Sequence, residues 1–258
     1  MRLPTWCRLL RADNPGPMTL EGTNTYVLSV GSGNVVVDPG PLLDAHLRAV
    51  IAAGPVVAAV LTHGHLDHSE AADRLHELTG ARVLAMDPAL CIGGEALAED
   101  GALLEIAGLN IEVLHTPGHT ADSVSFVVRD GEQFGVMTGD TILGRGTTVV
   151  AHPDGRLGPY LGSLTRLREL RGAVLLPGHG PVRPDVAEVA AAYLAHRHER
   201  LDQVRAAVAA GARSPRDVVA VVYADVDRAL WPAAAQSVRA QLEYLAAEEG
   251  FETGDERR

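Results

Sequence analysis

Apolar residues along the chain change their period several times, and each change marks an element. Thr25 to Ser29 and Asn34 to Val37 are short β-favouring runs split by Gly31-Ser32-Gly33, which reads as a hairpin near the start of a sheet. The second run ends in Asp38-Pro39-Gly40. Leu42 to Ala53 has helical spacing and stops at Gly54-Pro55. Val56 to Leu61 is then a continuous apolar run, the pattern of a strand buried on both faces. It leads directly into Thr62-His63-Gly64-His65-Leu66-Asp67-His68, after which Ser69 to Thr79 reads as an amphipathic helix closed by Gly80, and Val83-Leu84-Ala85 starts another strand. From Ala102 to Thr116 the pattern favours strands again and breaks at Pro117-Gly118-His119-Thr120. Ser123 to Val128 and Gly135 to Thr138 predict two further strands, Leu161 to Leu170 a helix, and Ala173 to Leu176 a short strand that ends in the rigid turn Pro177-Gly178-His179-Gly180-Pro181. Helical character dominates after that. Asp185 is placed to cap a long helix reaching about Ala210, Ser214-Pro215 opens another, and Val238, Leu242 and Leu245 mark the apolar stripe of a last one.

At 258 residues the chain is long for one compact domain and short for two. The expected division is a domain over 1–190, a small helical domain over 191–252, and a disordered tail over 253–258. Composition is 47% hydrophobic but only 4% aromatic, an excess of Ala, Val and Leu that suits helices packed on a Val-rich sheet. Arg8 and Arg11 interrupt the N-terminal segment where a signal peptide needs an apolar stretch, and no later run is long enough to span a membrane. Cys7 and Cys91 lie far apart and outside any metal-ligand spacing. Together these features predict a cytoplasmic protein with reduced thiols and no membrane contact. The basic residues are all Arg, and the formal net charge of −11 repels polyanions at long range, which favours small substrates over nucleic acid.

The chemistry is concentrated in His63-x-His65-x-Asp67-His68. Four ligand-type side chains within six positions, following a buried strand, converge on one side of a turn at a sheet edge. Imidazole nitrogen and carboxylate oxygen suit Zn(II), and also Fe(II) or Mn(II), and two adjacent sets of such donors hold two ions. The alternative is a polar loop with exposed histidines.

This motif resembles that of the metallo-β-lactamase superfamily, and the resemblance covers nearly the whole chain. It implies an α/β fold, a four-layer αββα sandwich with metals at one sheet edge. It also implies that His63 and His65 hold a first metal, completed by His119 in His115-Thr116-Pro117-Gly118-His119-Thr120. Asp67 and His68 would hold a second, completed by His179 in Pro177-Gly178-His179-Gly180, with Asp140 in Thr138-Gly139-Asp140 bridging the two. The expected cofactors are therefore two divalent metal ions, zinc foremost. Each later ligand follows a predicted strand and sits beside a Gly or Pro that fixes the turn. Between two cations a shared water becomes a positioned hydroxide, and the metals polarise the attacked carbonyl or phosphoryl oxygen. Asp67 and Asp140 are the expected catalytic carboxylates. Asp38 resembles the family's Asp that hydrogen-bonds behind the metal ligands, and as Asp-Pro-Gly it is also a turn former. His115 is expected on a strand, not on a metal. His46, His76, His152, His196 and His198 are expected in solvent. Arg145, between Gly144 and Gly146 just after Asp140, is a candidate substrate contact.

Asn14-Pro15-Gly16-Pro17-Met18-Thr19-Leu20-Glu21-Gly22-Thr23-Asn24-Thr25-Tyr26 and Gly139 to Thr148 resemble the beta-lactamase-like endoribonuclease group known from mitochondria and bacteria. Ala195-His196-Arg197-His198-Glu199-Arg200 with the helices after it resembles that group's small winged-helix-like domain. That wider group contains a single-strand-specific endoribonuclease and thioesterases. The favoured function is a dinuclear metal-dependent hydrolase of an ester, thioester or lactone-type small molecule, as a monomer or homodimer. The alternative is a single-strand-specific endoribonuclease using the same site. It is weakened by a tail with 9 Arg against 11 acidic residues over Tyr193 to Arg258, whose basic face would have to be folded from Arg197, Arg200, Arg205 and Arg239. An iron-dependent sulfur dioxygenase and a non-catalytic binding module stand behind these, because both ligand sets are complete.

Overall fold

Strands in the middle of this chain are apolar at consecutive residues because each is covered on both faces. In the computed structural model, which describes residues 2–97 and 100–249, Val35 and Val37 point into one core while Val36 points into another. Ala58 and Val60 are divided in the same way from Ala59, and Phe126 and Val128 from Val127. Cys7–Arg11 (β1), Asn24–Val30 (β2), Gly33–Val37 (β3), Val56–Val60 (β4) and Arg82–Leu84 (β5) form one sheet in that order. Strands β1 to β3 are antiparallel and β3 to β5 parallel. Leu103–Ile106 (β6), Leu109–His115 (β7), Val124–Asp130 (β8), Gln133–Gly139 (β9) and Val174–Pro177 (β10) form the second, in the order β10-β9-β8-β7-β6. Only the β9 to β10 pairing is parallel there.

The inner faces of the two sheets share a core of Tyr26, Leu28, Val35, Val60, Ile111, Phe126 and Met137, with Trp6 at one side. Helices Asp44–Ala52 (α1), Leu66–Ser69 (α2) and Ala72–Thr79 (α3) follow in sequence, and α1 and α3 cover the outer face of the first sheet through Leu47, Val50 and Leu75. The outer face of the second sheet packs Val127, Val136 and Leu175 against Leu157–Arg168 (α4), Val186–Ala209 (α5), Pro215–Val222 (α6) and Trp231–Glu249 (α7). The result is the four-layer αββα sandwich with a helical C-terminal region.

Local signals account for many of the boundaries. Gly80, at φ 72°, is the left-handed cap that ends α3. The Asp185 carboxylate accepts from the Ala187 amide and opens α5. Ser214 and Asp217 form a reciprocal capping box with Pro215 at the first turn of α6.

Other expectations need correction. The helix expected over Ser69 to Thr79 is two helices, because α2 begins inside the histidine motif at Leu66. Helix α4 starts at Leu157 instead of Leu161, its first turns disguised by Gly158, Pro159 and Gly162. Strand β1 lies outside every expected element. Its CRLLR sequence is too short and too charged to show an alternating apolar pattern, and it is fixed by pairing with β2. His46 is buried, with Nε2 2.8 Å from Thr25 Oγ1. His76 and His152 are partly buried against the Ala81 carbonyl and the Glu243 carboxylate, and His196 is half-buried, so of the five histidines expected in solvent only His198 is exposed. The expected boundary between 190 and 191 falls inside the continuous helix α5. The expected disordered tail, 253–258, lies outside the described residues. Among the described residues no helix is long and apolar enough to cross a membrane, and Cys7 and Cys91 are free.

One apolar cluster runs without a break from β9 and β10 through α4 and α5 to α7, so sandwich and C-terminal helices are expected to unfold together. Leu201→Ala, in the middle of that cluster, should cost about 2–5 kcal/mol. Denaturant curves read at Trp6 in the sandwich and at Trp231 on α7, each isolated by replacing the other with Phe, should share one midpoint. Two separate midpoints would show that the cluster does not couple the layers.

Candidate metal centre

Five strands end at the same edge of the sandwich, and each delivers a polar residue there. Asp38 follows β3, His63 follows β4, His119 lies four residues beyond β7, Asp140 follows β9 and His179 lies two residues beyond β10. Helix α2 starts at once after His65, so Asp67 and His68 turn back toward His63 within one turn.

The turns leave no room for side chains at their glycines. A Cβ on Gly139 would stand 2.4 Å from Thr62 Oγ1, and one on Gly178 2.6 Å from Asp140 Oδ1. The two sheets are stitched here by Val124 N to Thr62 O at 2.8 Å, and the start of β2 is tied to the end of β10. Asn24 Nδ2 donates to the carbonyls of Pro177 and Gly180 at 2.9 Å, and Tyr26 Oη donates to the Pro177 carbonyl at 2.8 Å.

Seven side chains meet in three overlapping groups: His63, His65 and His119; His63, His68 and Asp140; and Asp67, His68 and His179. Within them His63 Nε2 lies 3.0 Å from His65 Nδ1, His119 Nε2 3.1 Å from His65 Nδ1, and His68 Nε2 3.2 Å from His179 Nε2. The Asp140 carboxylate stands between the groups. Its Oδ1 is 3.4 Å from both His68 Nε2 and His179 Nε2, and its Oδ2 is 3.9 Å from His119 Nε2. Asp67 Oδ2 is 3.1 Å from His179 Nε2 and accepts from Thr23 Oγ1 at 3.4 Å.

The far nitrogen of four of these rings is held from outside the cluster. Thr62 Oγ1 lies 3.0 Å from His63 Nδ1, the Val149 carbonyl 2.6 Å from His119 Nδ1, Asp38 Oδ2 2.8 Å from His68 Nδ1, and the Gly22 carbonyl 3.4 Å from His179 Nδ1. Asp38 also accepts from the Thr62 amide and hydroxyl, both at 2.7 Å. It adopts φ 53°, the left-handed region that Asp tolerates better than most residues. His115 closes β7 and belongs to none of the groups.

Electrostatics divide the cluster. Burial pushes His63 well below the ordinary imidazole range, aided by the neighbouring His68 and His119, and burial likewise lowers His119. Burial works against charge on His68 too, but Asp140 and Asp38 outweigh it and hold that ring well above its ordinary range. His179 is pushed up to about 9 against the same penalty, chiefly by Asp140. Asp140 is held well below the carboxylate range despite its burial, by His179 and His68.

The donors fit a divalent cation. Ring nitrogens, buried except at the exposed His65, are aimed at one another at hydrogen-bond distance, and Asp140 Oδ1 is buried with no hydrogen-bond partner among the described residues. Nitrogen and carboxylate oxygen in this mixture match zinc, iron or manganese. Such a cation is the common partner that the convergent lone pairs lack.

Some of the supporting residues carried no signal in the sequence. Thr62 and Thr23 are small and polar, and Val149 acts through its backbone, so nothing but the fold reveals them. Arg145 is at the rim, exposed, with its guanidinium donating to the Glu21 carboxylate. Of the four arginines from which a basic face would be built, Arg239 is exposed and the other three are engaged within the fold. Arg197 is buried, Arg200 lies over the Tyr223 ring and donates to the Val222 carbonyl, and Arg205 pairs with Asp202 and Glu248.

Comparison with known proteins agrees with this geometry. Residues 18–179 match the family model of the metallo-beta-lactamase superfamily, and residues 214–250 that of the beta-lactamase associated winged helix domain. A beta-lactamase-like protein 2 homolog from Drosophila melanogaster is 32% identical over 91% of this chain and 86% of its own length. An atrochrysone carboxyl ACP thioesterase from Aspergillus chevalieri is 34% identical over 76% of this chain, which spans 64% of that protein. The crystal structure of a metallo-beta-lactamase family protein from Thermus thermophilus superimposes with a TM-score of 0.79 at 23% identity, over 95% of this chain and 94% of the other. The chain belongs to the metallo-beta-lactamase superfamily and carries a beta-lactamase associated winged helix domain after its sandwich.

Proposed function

We propose that this protein is a dinuclear metal-dependent hydrolase acting on an ester or thioester of a small molecule or carrier-bound acyl group. The observation that carries the reading is the Asp140 carboxylate, with one oxygen toward His68 and His179 and the other toward His119. Such a group divides seven donors into two sets. His63, His65 and His119 would hold one ion, Asp67, His68 and His179 the other, and Asp140 would serve both.

Two divalent cations there, zinc foremost for a nitrogen-rich set, supply Lewis acidity and a water acidified to near neutrality. The chain's own residues do the rest. Asp67 is 29% exposed at the mouth of the cleft, so its carboxylate is positioned to orient a water and to take its proton. Asp38 and Thr62 hold the His68 and His63 rings so that the nitrogens facing the cleft stay aligned. Leu66, 69% exposed between His65 and Asp67, offers apolar surface beside the donors, which suits an acyl group. The similarity to an ACP thioesterase supports the same substrate class. An endoribonuclease would need a basic track, and of the four arginines expected to build one Arg197 is buried and Arg200 and Arg205 are paired, which leaves Arg239 exposed.

Protein purified without chelator is expected to hold about two transition-metal ions per chain, read by elemental analysis. It should hydrolyse an acyl thioester faster than single-stranded RNA, a lactone or a chromogenic β-lactam. A single iron with oxygen consumption on a persulfide would sink the hydrolase reading, and RNA cleavage as the dominant activity would replace the substrate class.

Asp140→Ala should reduce turnover to near background, since it leaves two cations without the carboxylate between them. Asp38→Asn is the milder test. Asparagine tolerates the left-handed backbone and still accepts from Thr62, but it faces His68 Nδ1 with an amide. Metal affinity is expected to fall about 10–100-fold with the circular dichroism spectrum unchanged. If Asp140→Ala keeps both metals and nearly full turnover, Asp140 is not shared between them.

Arg145 would exchange its Glu21 partner for a carboxylate or phosphate of the substrate, a two-point grip that Lys does not reproduce. Michaelis constants should rise for anionic substrates in both Arg145→Ala and Arg145→Lys, with neutral substrates little changed and metal content intact. Equal kinetics in all three proteins would leave Arg145 as a surface residue tied to Glu21.

A further inference from the structure

We propose that Arg197, on α5 of the C-terminal helical region, is a positioning residue for the metal centre, acting through the backbone of Thr148 and Val149 on His119. The proposal rests on the metal reading above. The sequence marks the Ala195 to Arg200 segment as distinctive, and neither surface contact with RNA nor solvation explains Arg197, which is 3% exposed. Its Nη2 donates to the Thr148 carbonyl, its guanidinium carbon lies 5.0 Å from the Tyr160 ring centroid, and its Nε is buried without a hydrogen-bond partner among the described residues. No carboxylate pairs with it among those residues. A buried cation so held is costly compared with an apolar side chain of the same length, so its place calls for a role beyond filling space.

That role lies one residue away. The Thr148 carbonyl meets Arg197, and the Val149 carbonyl meets His119 Nδ1 at 2.6 Å. Peptide planes are rigid, so only the two backbone dihedrals of Val149 separate the anchored carbonyl from the one that fixes the imidazole. The same stretch is tied on both sides. Thr148 Oγ1 donates to the Asp140 carbonyl and Ala151 N to the His119 carbonyl at 3.0 Å, while Val150 N donates to Ser237 Oγ on α7 at 3.4 Å. Tyr160, beneath the guanidinium, donates from its hydroxyl to the Thr141 carbonyl at 2.7 Å, beside Asp140. Arg197 and Tyr160 therefore clamp both ends of the segment that follows Asp140. Through Val149, Arg197 keeps the proton of His119 on Nδ1 and its Nε2 toward His65 and Asp140, as a partner behind a ligand must. The C-terminal helices are on this account a wall of the metal centre.

The test uses full-length wild type, Arg197→Met and Arg197→Lys, each stripped of metal. Zinc affinity is read by competition with a chromophoric chelator, and the His119 ring by its nitrogen-15 shifts in the metal-free protein. Arg197→Met is expected to weaken one of the two zinc equivalents by about tenfold or more and to shift the His119 ring from a single tautomer to a mixture. Arg197→Lys, which keeps the charge and a donor, should recover part of both effects. In a His119→Ala background Arg197→Met should change zinc affinity no further. A lower melting temperature with zinc affinity and His119 shifts unchanged would overturn the proposal and leave Arg197 as packing. Should Arg197→Met fail to fold, Arg197→Lys is judged on the same two readings. Absence of zinc uptake by wild type would instead defeat the metal reading, and the His119 shifts would still decide for or against Arg197.

Discussion

Five imidazoles and two carboxylates crowded at one edge of the sandwich are the constraint on which the rest of the structure depends. Ring nitrogens 3.0 to 3.2 Å apart repel when both carry protons and gain nothing when both carry lone pairs. An arrangement of this kind survives only if it is held from behind, and the other nitrogen of four rings is held, by Thr62, Val149, Asp38 and Gly22. The holders are themselves fixed by strand ends, by the stitching of β2 to β10, and by helices packed outside the second sheet. Burial of Val35, Val60, Phe126 and Met137 between the sheets matters to the site because it sets where those strands stop.

Strand ends suit this task because a strand is the straightest element the chain has and its last residue is free to turn. The ends of β3, β4, β7, β9 and β10 meet at one edge because β7 and β9 both run antiparallel to β8, while β3 and β4 are parallel neighbours. Gly139 and Gly178 allow the turns to approach the neighbouring chain more closely than any side chain would permit. The donors therefore arrive from two sheets without a long loop among them.

How much of this could be read from the sequence depends on how locally each feature is encoded. The His63 to His68 motif is local, and its ligands and the strand before it could be recognised together. The two-faced burial of β3, β4 and β8 is also local, written as consecutive apolar residues. Strand β1 was not legible, since Leu9 and Leu10 between Arg8 and Arg11 become a strand only beside β2. His46 looked like one more helical histidine, and its burial depends on Thr25 in another element. Val149 takes part through a carbonyl, which no side-chain pattern records. Arg197 was legible as part of a motif but not as a buried residue, because its depth is set by Tyr160 and by the loop after Asp140.

The charge pattern follows from the same arrangement. Asp140 is buried with imidazoles near both oxygens, and Asp67 is partly open to solvent. A carboxylate at the base of the cleft acts as a fixed charge that sets the affinity for cations. On the proposed hydrolase reading, one at the mouth would be the carboxylate that exchanges protons with solvent. Positive charge is spread differently: Arg145 is exposed at the rim and bound to Glu21, whereas Arg197 is buried behind the wall. Beside the donors, Leu66 is exposed, and Arg145 is paired with Glu21. On the proposed hydrolase reading, that combination would suit a compact substrate with an acyl face and at most a local negative charge better than a nucleic-acid backbone.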